Sequence, residues 1–230
     1  MKLTNKTKPG KSMASAFESS IVTMPKGQRN IFEAAVDEFA ERGFAGSSTL
    51  AIAERAGVSE GLIFKYFKNK ASLLRQVVFP ILAATIMPLA IRGVKSVTDA
   101  EHQTFAEFIE ALVRERLNFA RQHKKHLRIL LQELPLNEEL RARVTNGLQA
   151  ELLPILKKKI AFFQKRGLLR TIPTNQMMSY MIPQVMGFVL SRAVFAFKPE
   201  SDEEQDIKTF ITVMLHGVSA PTQAKTRGKK

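Results

Sequence analysis

The sequence predicts an all-α protein, with an N-terminal three-helix helix-turn-helix domain followed by a larger helical domain. Three observations carry this. Apolar residues recur at i, i+3, i+4 and i+7 through most of the 230 residues. No segment has the period-two alternation and hairpin signals of a sheet. Between residues 50 and 67, two short apolar-periodic stretches flank Ala56-Gly57-Val58-Ser59, a turn of the length and glycine content that joins the helices of a helix-turn-helix.

Composition bounds the rest. An apolar share of 45% supports a buried core, and the absence of cysteine excludes disulfides, thiol nucleophiles and thiolate metal sites. The first 30 residues are polar and basic, so no signal peptide is expected and the protein is expected to be cytoplasmic. A net charge of +14 favours polyanions, either nucleic acid or an anionic membrane surface. Residues 1–75 hold twelve Lys/Arg against seven Asp/Glu, so most of the excess lies further along.

Residues 1–25, with Lys2, Lys6, Lys8 and Lys11, read as a flexible basic arm, either touching DNA or simply a solvated tail. A helix-turn-helix domain is expected over 26–72. Its first helix spans Gln28 to Arg42, with Ile31, Phe32, Ala35, Val36, Phe39 and Ala40 inward and Glu33, Asp37, Glu38 and Glu41 toward solvent; Gly43 ends it. Ser47 or Ser48 caps the second, where Leu50, Ile52, Ala53 and Ala56 form the apolar side. Gly57 supplies the positive φ of the turn, Ser59 caps the third helix, and Ile63 and Phe67 point inward.

The larger domain is expected over 73–218. Lys70 starts a fourth helix with Leu73, Leu74, Val77 and Val78 inward, which Pro80 and Pro88 kink or divide. Thr98 or Asp99 caps a long helix to about Arg121. Another runs from His123 to Leu134, and Asn137 opens a third, to Arg166, with Leu140, Val144, Leu148, Leu152, Leu156 and Ile160 near one face; Gly147 and Pro154 break or bend it. Asn175 to Phe197 is the most apolar stretch. Gln184, Arg192 and Pro183 argue against a membrane span there, and a helix buried on two sides is expected instead. A last helix follows the acids at 202–206, with Ile207, Phe210, Ile211, Met214, Leu215 and Val218 at helical spacing. Residues 219–230 read as a basic disordered tail.

Gly43-Phe44, Ser47-Ser48, Ile52-Ala53, Ala56-Gly57-Val58-Ser59, Gly61, Phe67 and Lys70 resemble the DNA-binding signature of the tetracycline-repressor (TetR) family, over roughly residues 28–75. The resemblance implies a homodimeric transcriptional regulator of double-stranded DNA, most simply a repressor released from a palindromic operator by a small hydrophobic ligand. It assigns Ser47, Ser48, Ser59, Glu60, Gly61, Phe64, Lys65, Tyr66 and Lys70 to DNA contact, with Lys65, Tyr66 and Lys70 on phosphates. Leu62 and Phe64 depart from the usual residues. Glu60 either accepts from cytosine N4 or only favours the helix N-terminus. The resemblance also implies a ligand pocket between the middle helices, for which Phe105, Phe108, Phe119, Phe162 and Met178 are candidates. The last two helices would form the dimer bundle, through Val185, Phe188, Val189, Arg192, Phe210 and Met214.

Enzyme signals are missing: no HExxH, glycine-rich phosphate loop or nucleophile elbow occurs. His123 and His126 share a helix face without completing a metal site and read as solvated surface. No catalytic residue, metal or cofactor is expected, and no membrane partner. Two alternatives stay open: a low-specificity helix-turn-helix DNA-binding protein, and an all-α hydrophobic-ligand carrier.

Overall fold

The computed structural model describes residues 25–81, 83, 86–197 and 202–217. The expected arm up to residue 24, Val218 and the expected tail lie outside these. Among the described residues there are ten helices and no strand.

α1 (Lys26–Gly46) is regular up to Gly43, where φ 71° and ψ 172° break it as the sequence predicts. α2 (Thr49–Ala56) and α3 (Glu60–Tyr66) follow. Gly57 between them is left-handed, at φ 66° and ψ 36°, so its N–H and that of Val58 reach back to cap α2. Ile31, Phe39, Ile52 and Ile63, all fully buried, lock the three helices together. Leu50 is the exception to the predicted apolar side, being 53% exposed. Glu38 departs the other way: it is 1% exposed, because Arg55 and Arg42 close over its carboxylate at 3.5 and 3.4 Å.

α4 spans residues 70–81, starting under an Asn69 cap whose Oδ1 accepts from the Ser72 amide at 2.8 Å. Residues Leu74–Val78 form a wide turn, closed by Phe79 N–H donating five residues back to Leu74. Pro80 follows at once. Its ring crowds the carbonyl four residues back, and widening the turn relieves that contact. Pro88 instead occupies the first turn of α5 (Met87–Asp99), where a missing N–H costs nothing.

Thr98 and Asp99 therefore end a helix rather than start one. Thr98 Oγ1 donates back to Val94, and the next helix, α6 (Phe105–Gln122), is capped by Thr104. Thr104 accepts from Glu107 N–H at 3.1 Å while Glu107 accepts from Gln103 N–H at 2.8 Å, a reciprocal capping box that outcompetes the earlier Thr and Asp. α7 (Lys124–Glu133) packs across α1. α8 spans residues 138–165 behind an Asn137 cap, with a second wide turn at Leu148–Leu152, again just ahead of a proline, Pro154. α9 covers residues 174–194 and ends in a third wide turn, Leu190–Val194; α10 is Glu203–His216.

Two apolar cores result. One joins the first three helices to α4 and draws in Ile129 of α7 and Leu140 of α8, from beyond the expected border at residue 72. The other is built on α6, α8, α9 and α10 around Phe108, Phe163 and Ile207. No helix among the described residues is long and apolar enough to cross a membrane.

Candidate functional site

The head presents α3 to solvent beside the start of α2. Ser48 is the cap of α2, its Oγ accepting from Ala51 N–H at 3.0 Å. Ser47 is buried, with its hydroxyl donated to the Phe44 carbonyl at 2.9 Å, so of the two serines it is Ser48 that faces outward. Ser59, Gly61, Phe64 and Lys65 are exposed, and Tyr66 is half-buried against Phe67. Leu62 turns inward onto the head core, close to Gly27. Glu60 accepts the Thr49 hydroxyl at 2.6 Å, which ties the first turns of α2 and α3 to each other.

Lys70 is anchored inside the head. Its Nζ donates to the carbonyls of Phe44 and Ser47 (2.7 Å to Ser47) and lies 4.4 Å from the centre of the Phe44 ring. This fastens the start of α4 to the α1–α2 turn and leaves a single N–H for phosphate. Arg55 fastens the other end of α2, gripping Glu41 through two bonds of 3.0 and 2.7 Å. That bidentate bond holds the Glu41 carboxyl below its ordinary range and raises the Arg55 guanidinium.

Behind the head, α5, α6, α7, α8 and α9, with Ala83 and Ile86 just ahead of α5, line a cavity of about 250 Å³. Its wall is apolar apart from one charged side chain, Arg116. Arg116 is 11% exposed, lies 4.6 Å from the Phe119 ring centre and pairs with Glu115 at 2.7 Å. The pair rests on bare backbone at Gly93, where a Cβ would overlap the Glu115 carboxylate. Arg116 also acts on His123, whose pKa is lowered first by burial and then by this guanidinium. His126 next to it is lowered chiefly by burial too. Both rings are half-buried, their centres 6.1 Å apart, rather than the solvated surface the sequence suggests. Among the described residues no group of three or more His, Asp or Glu could hold a metal.

Of the five residues expected at the pocket, Phe108 and Phe119 reach the cavity wall and three do not. Phe105 packs edge-on to Phe163, with ring centres 5.2 Å apart; Met178 is core; Phe162 is exposed beneath Arg166. Arg116, Leu127, Leu130 and the methionines Met181 and Met186 line the wall instead. Leu112, Arg116 and Phe119 stand at i, i+4 and i+7, the helical spacing by which Arg116 was findable.

The expected dimer residues divide. Val185 and Val189 are buried and form cavity wall, so they are not on an outer face. The reason is that α9 is apolar nearly all round, and periodicity cannot tell its inward side from its outward one. Phe188 and Phe210 stack at 4.5 Å and join α9 to α10. Arg192 is held by Asp206, with Glu203 at 3.8 Å. Met214 is half-buried. The solvent side of the pair carries Tyr180, Pro183, Gln184, Gly187 and Val213.

Comparison with known proteins agrees with this geometry. The model of bacterial regulatory proteins of the tetR family matches residues 31–77. The fatty acid metabolism regulator protein of Bacillus subtilis (strain 168) is 48% identical over 44 residues, which is 19% of this chain and 23% of that protein. The match thus spans about a quarter of the relative's length. A fatty acid degradation regulator, FadR, from Bacillus halodurans superposes with a TM-score of 0.61 at 22% identity, covering 85% of this chain and 97% of that one. The FadR transcriptional regulator of Bacillus subtilis, in complex with stearoyl-CoA, gives 0.59 at 20% identity, covering 83% and 98%. Residues 31–77 thus carry the helix-turn-helix of the bacterial tetR-family regulators, and the helical domain behind them shares the fold of these neighbours.

Proposed function

We propose that the protein is a homodimeric, ligand-responsive repressor that binds a roughly palindromic operator and leaves it when a long apolar ligand fills the cavity. The observation that carries this reading is the double duty of α7. Leu127 and Leu130 wall the cavity, while Ile129 lies in the head core and Lys125 pairs with Asp37 of α1 at 2.7 Å. A guest that displaces α7 therefore displaces the head, and its differential affinity for the two arrangements sets the response.

In this reading Ser48, Ser59, Glu60, Gly61, Phe64, Lys65 and Tyr66 meet DNA directly, and Lys70 does so with its remaining N–H. A second copy covers the outer side of α9 and α10 at Tyr180, Pro183, Gly187 and Val213, spacing two heads about 34–36 Å apart for successive major grooves. The apolar wall suits a flexible hydrocarbon chain, and Arg116 offers the one countercharge for a polar end. The stearoyl-CoA bound by the Bacillus subtilis regulator makes long acyl thioesters the first ligands to try.

Selection of random duplexes by purified protein at near-physiological salt tests the first half, and release by stearoyl-CoA but not acetyl-CoA tests the second. One inverted repeat, freed by the long acyl chain alone, is expected. Recovery of no motif, with steep loss in salt, would replace the reading with low-specificity DNA binding. Ligand binding with no DNA binding would replace it with a carrier.

A further inference from the structure

Residues 153–173 contain six Lys/Arg and no Asp/Glu, far from the head in sequence, and none of the six lines the cavity. On the last turns of α8, Leu156, Ile160 and Phe163 are buried, which turns Lys157, Lys158, Phe162, Lys165 and Arg166 outward together. Phe162 is 44% exposed with the Arg166 guanidinium 5.4 Å from its ring centre. Lys159 is not part of this face, since its ammonium holds the carbonyls of Thr98 and Ala100 at 2.7 and 2.8 Å.

The connector after α8 extends the same surface and is firmly held. Gly167, at φ 70°, ends the helix, and Leu168 N–H caps it on Phe163. Gln164 Nε2 then donates to the carbonyls of Arg170 and Ile172 at 3.0 and 2.7 Å, and its Oε1 accepts from Thr174. With its backbone bolted in this way, the connector displays Leu168 (43% exposed), Arg170 and Ile172 (36% exposed) to solvent. Leu168 and Ile172 also line an open groove of about 520 Å³ that reaches Leu215 and His216 of α10.

We propose that the outer face of α8 and the Gln164-bolted connector form a docking surface for an anionic lipid bilayer. Phosphate backbones of nucleic acid would use the lysines and arginines but have no use for Phe162, Leu168 and Ile172 among them. A bilayer interface uses both, with basic side chains on the headgroups and apolar ones at the acyl boundary. The surface is distinct from the DNA-reading head and from the cavity, and it gives the excess of positive charge a destination that the head does not.

Flotation of the full chain with vesicles tests this, in the presence of excess duplex DNA to occupy the heads. Binding to mixed phosphatidylcholine–phosphatidylglycerol vesicles, absent with phosphatidylcholine alone and weakened by salt, is expected. K157A/K158A/K165A should lower the partition coefficient about 100-fold, from about fivefold per lysine near an anionic surface. F162S/L168S/I172S should lower it at unchanged salt. Both variants should keep the parent's melting temperature and DNA affinity. No flotation on anionic vesicles, equal flotation on neutral ones, undiminished binding of either variant, or complete displacement by duplex DNA would each overturn the proposal.

Discussion

The hydroxyl of Thr49 donates to the carboxylate of Glu60 at 2.6 Å, so an acid at the start of α3 is held by the helix before it. An anion held at a polyanion-binding face weakens all DNA binding unless it reads a base. Replacing Glu60 with Gln keeps an acceptor for Thr49 and removes the charge. Affinity for every duplex should rise severalfold. Loss of affinity confined to sites with cytosine at one position would instead make Glu60 a base reader.

Lys65 and Lys70 should differ although both are lysines near the same face. Lys65 is exposed, and Lys65→Ala should reduce the slope of log affinity against log salt by about 1 with no change in melting. Lys70→Ala removes two charge-assisted bonds to the Phe44 and Ser47 carbonyls and should also cost about 1.5–3 kcal/mol of stability. Denaturant melts and salt titrations of the two variants separate these effects.

Filling the cavity should uncouple ligand from DNA. Ala120 is buried in the wall, and Ala120→Leu places three more carbon atoms in the space a guest would take. Operator affinity without ligand should stay within about twofold of the parent, a shift well under 1 kcal/mol. Calorimetric titration with a long acyl thioester should show at least a tenfold loss, and operator release should need correspondingly more ligand.

Acid should loosen the joint between α6 and α7. Burial lowers the pKa of His123 and His126 below the ordinary 6.5, with Arg116 acting on His123, and His123 and Lys125 opposing Asp37 at His126. The folded state thus prefers neutral rings, while the unfolded chain protonates first as pH falls. Stability present above pH 6.5 is lost progressively as pH drops below it toward the folded-state values. Glu41, Glu107 and Glu204, all held below 4.5, lose their contributions only in a lower window. Melting temperature followed downward through pH 6.5 should slope less in H123F/H126L than in the parent.

The head was legible residue by residue because its chemistry is local. A glycine with positive φ, a serine cap and two inward apolar residues four apart leave little choice of geometry. The long α8 was legible for the same reason, from Asn137 to the left-handed Gly167. The cavity was only partly legible. Phe108 and Phe105 sit three apart on one helix, and whether a ring faces a void or another ring depends on which helix lies opposite. Nor did spacing reveal that Glu38 is buried, because its partner Arg55 comes from another helix.

Each wide turn, at 74–78, 148–152 and 190–194, carries one residue more than an α-turn holds, and residues from the second and third line the cavity. Moving that surplus residue along a helix rotates the intervening segment by about 100° at little cost in hydrogen bonds. Leu148, Leu152 and Leu190 would turn with any such shift, toward or away from the void. The volume of about 250 Å³ is then tied to where the wide turns at 148–152 and 190–194 sit along α8 and α9.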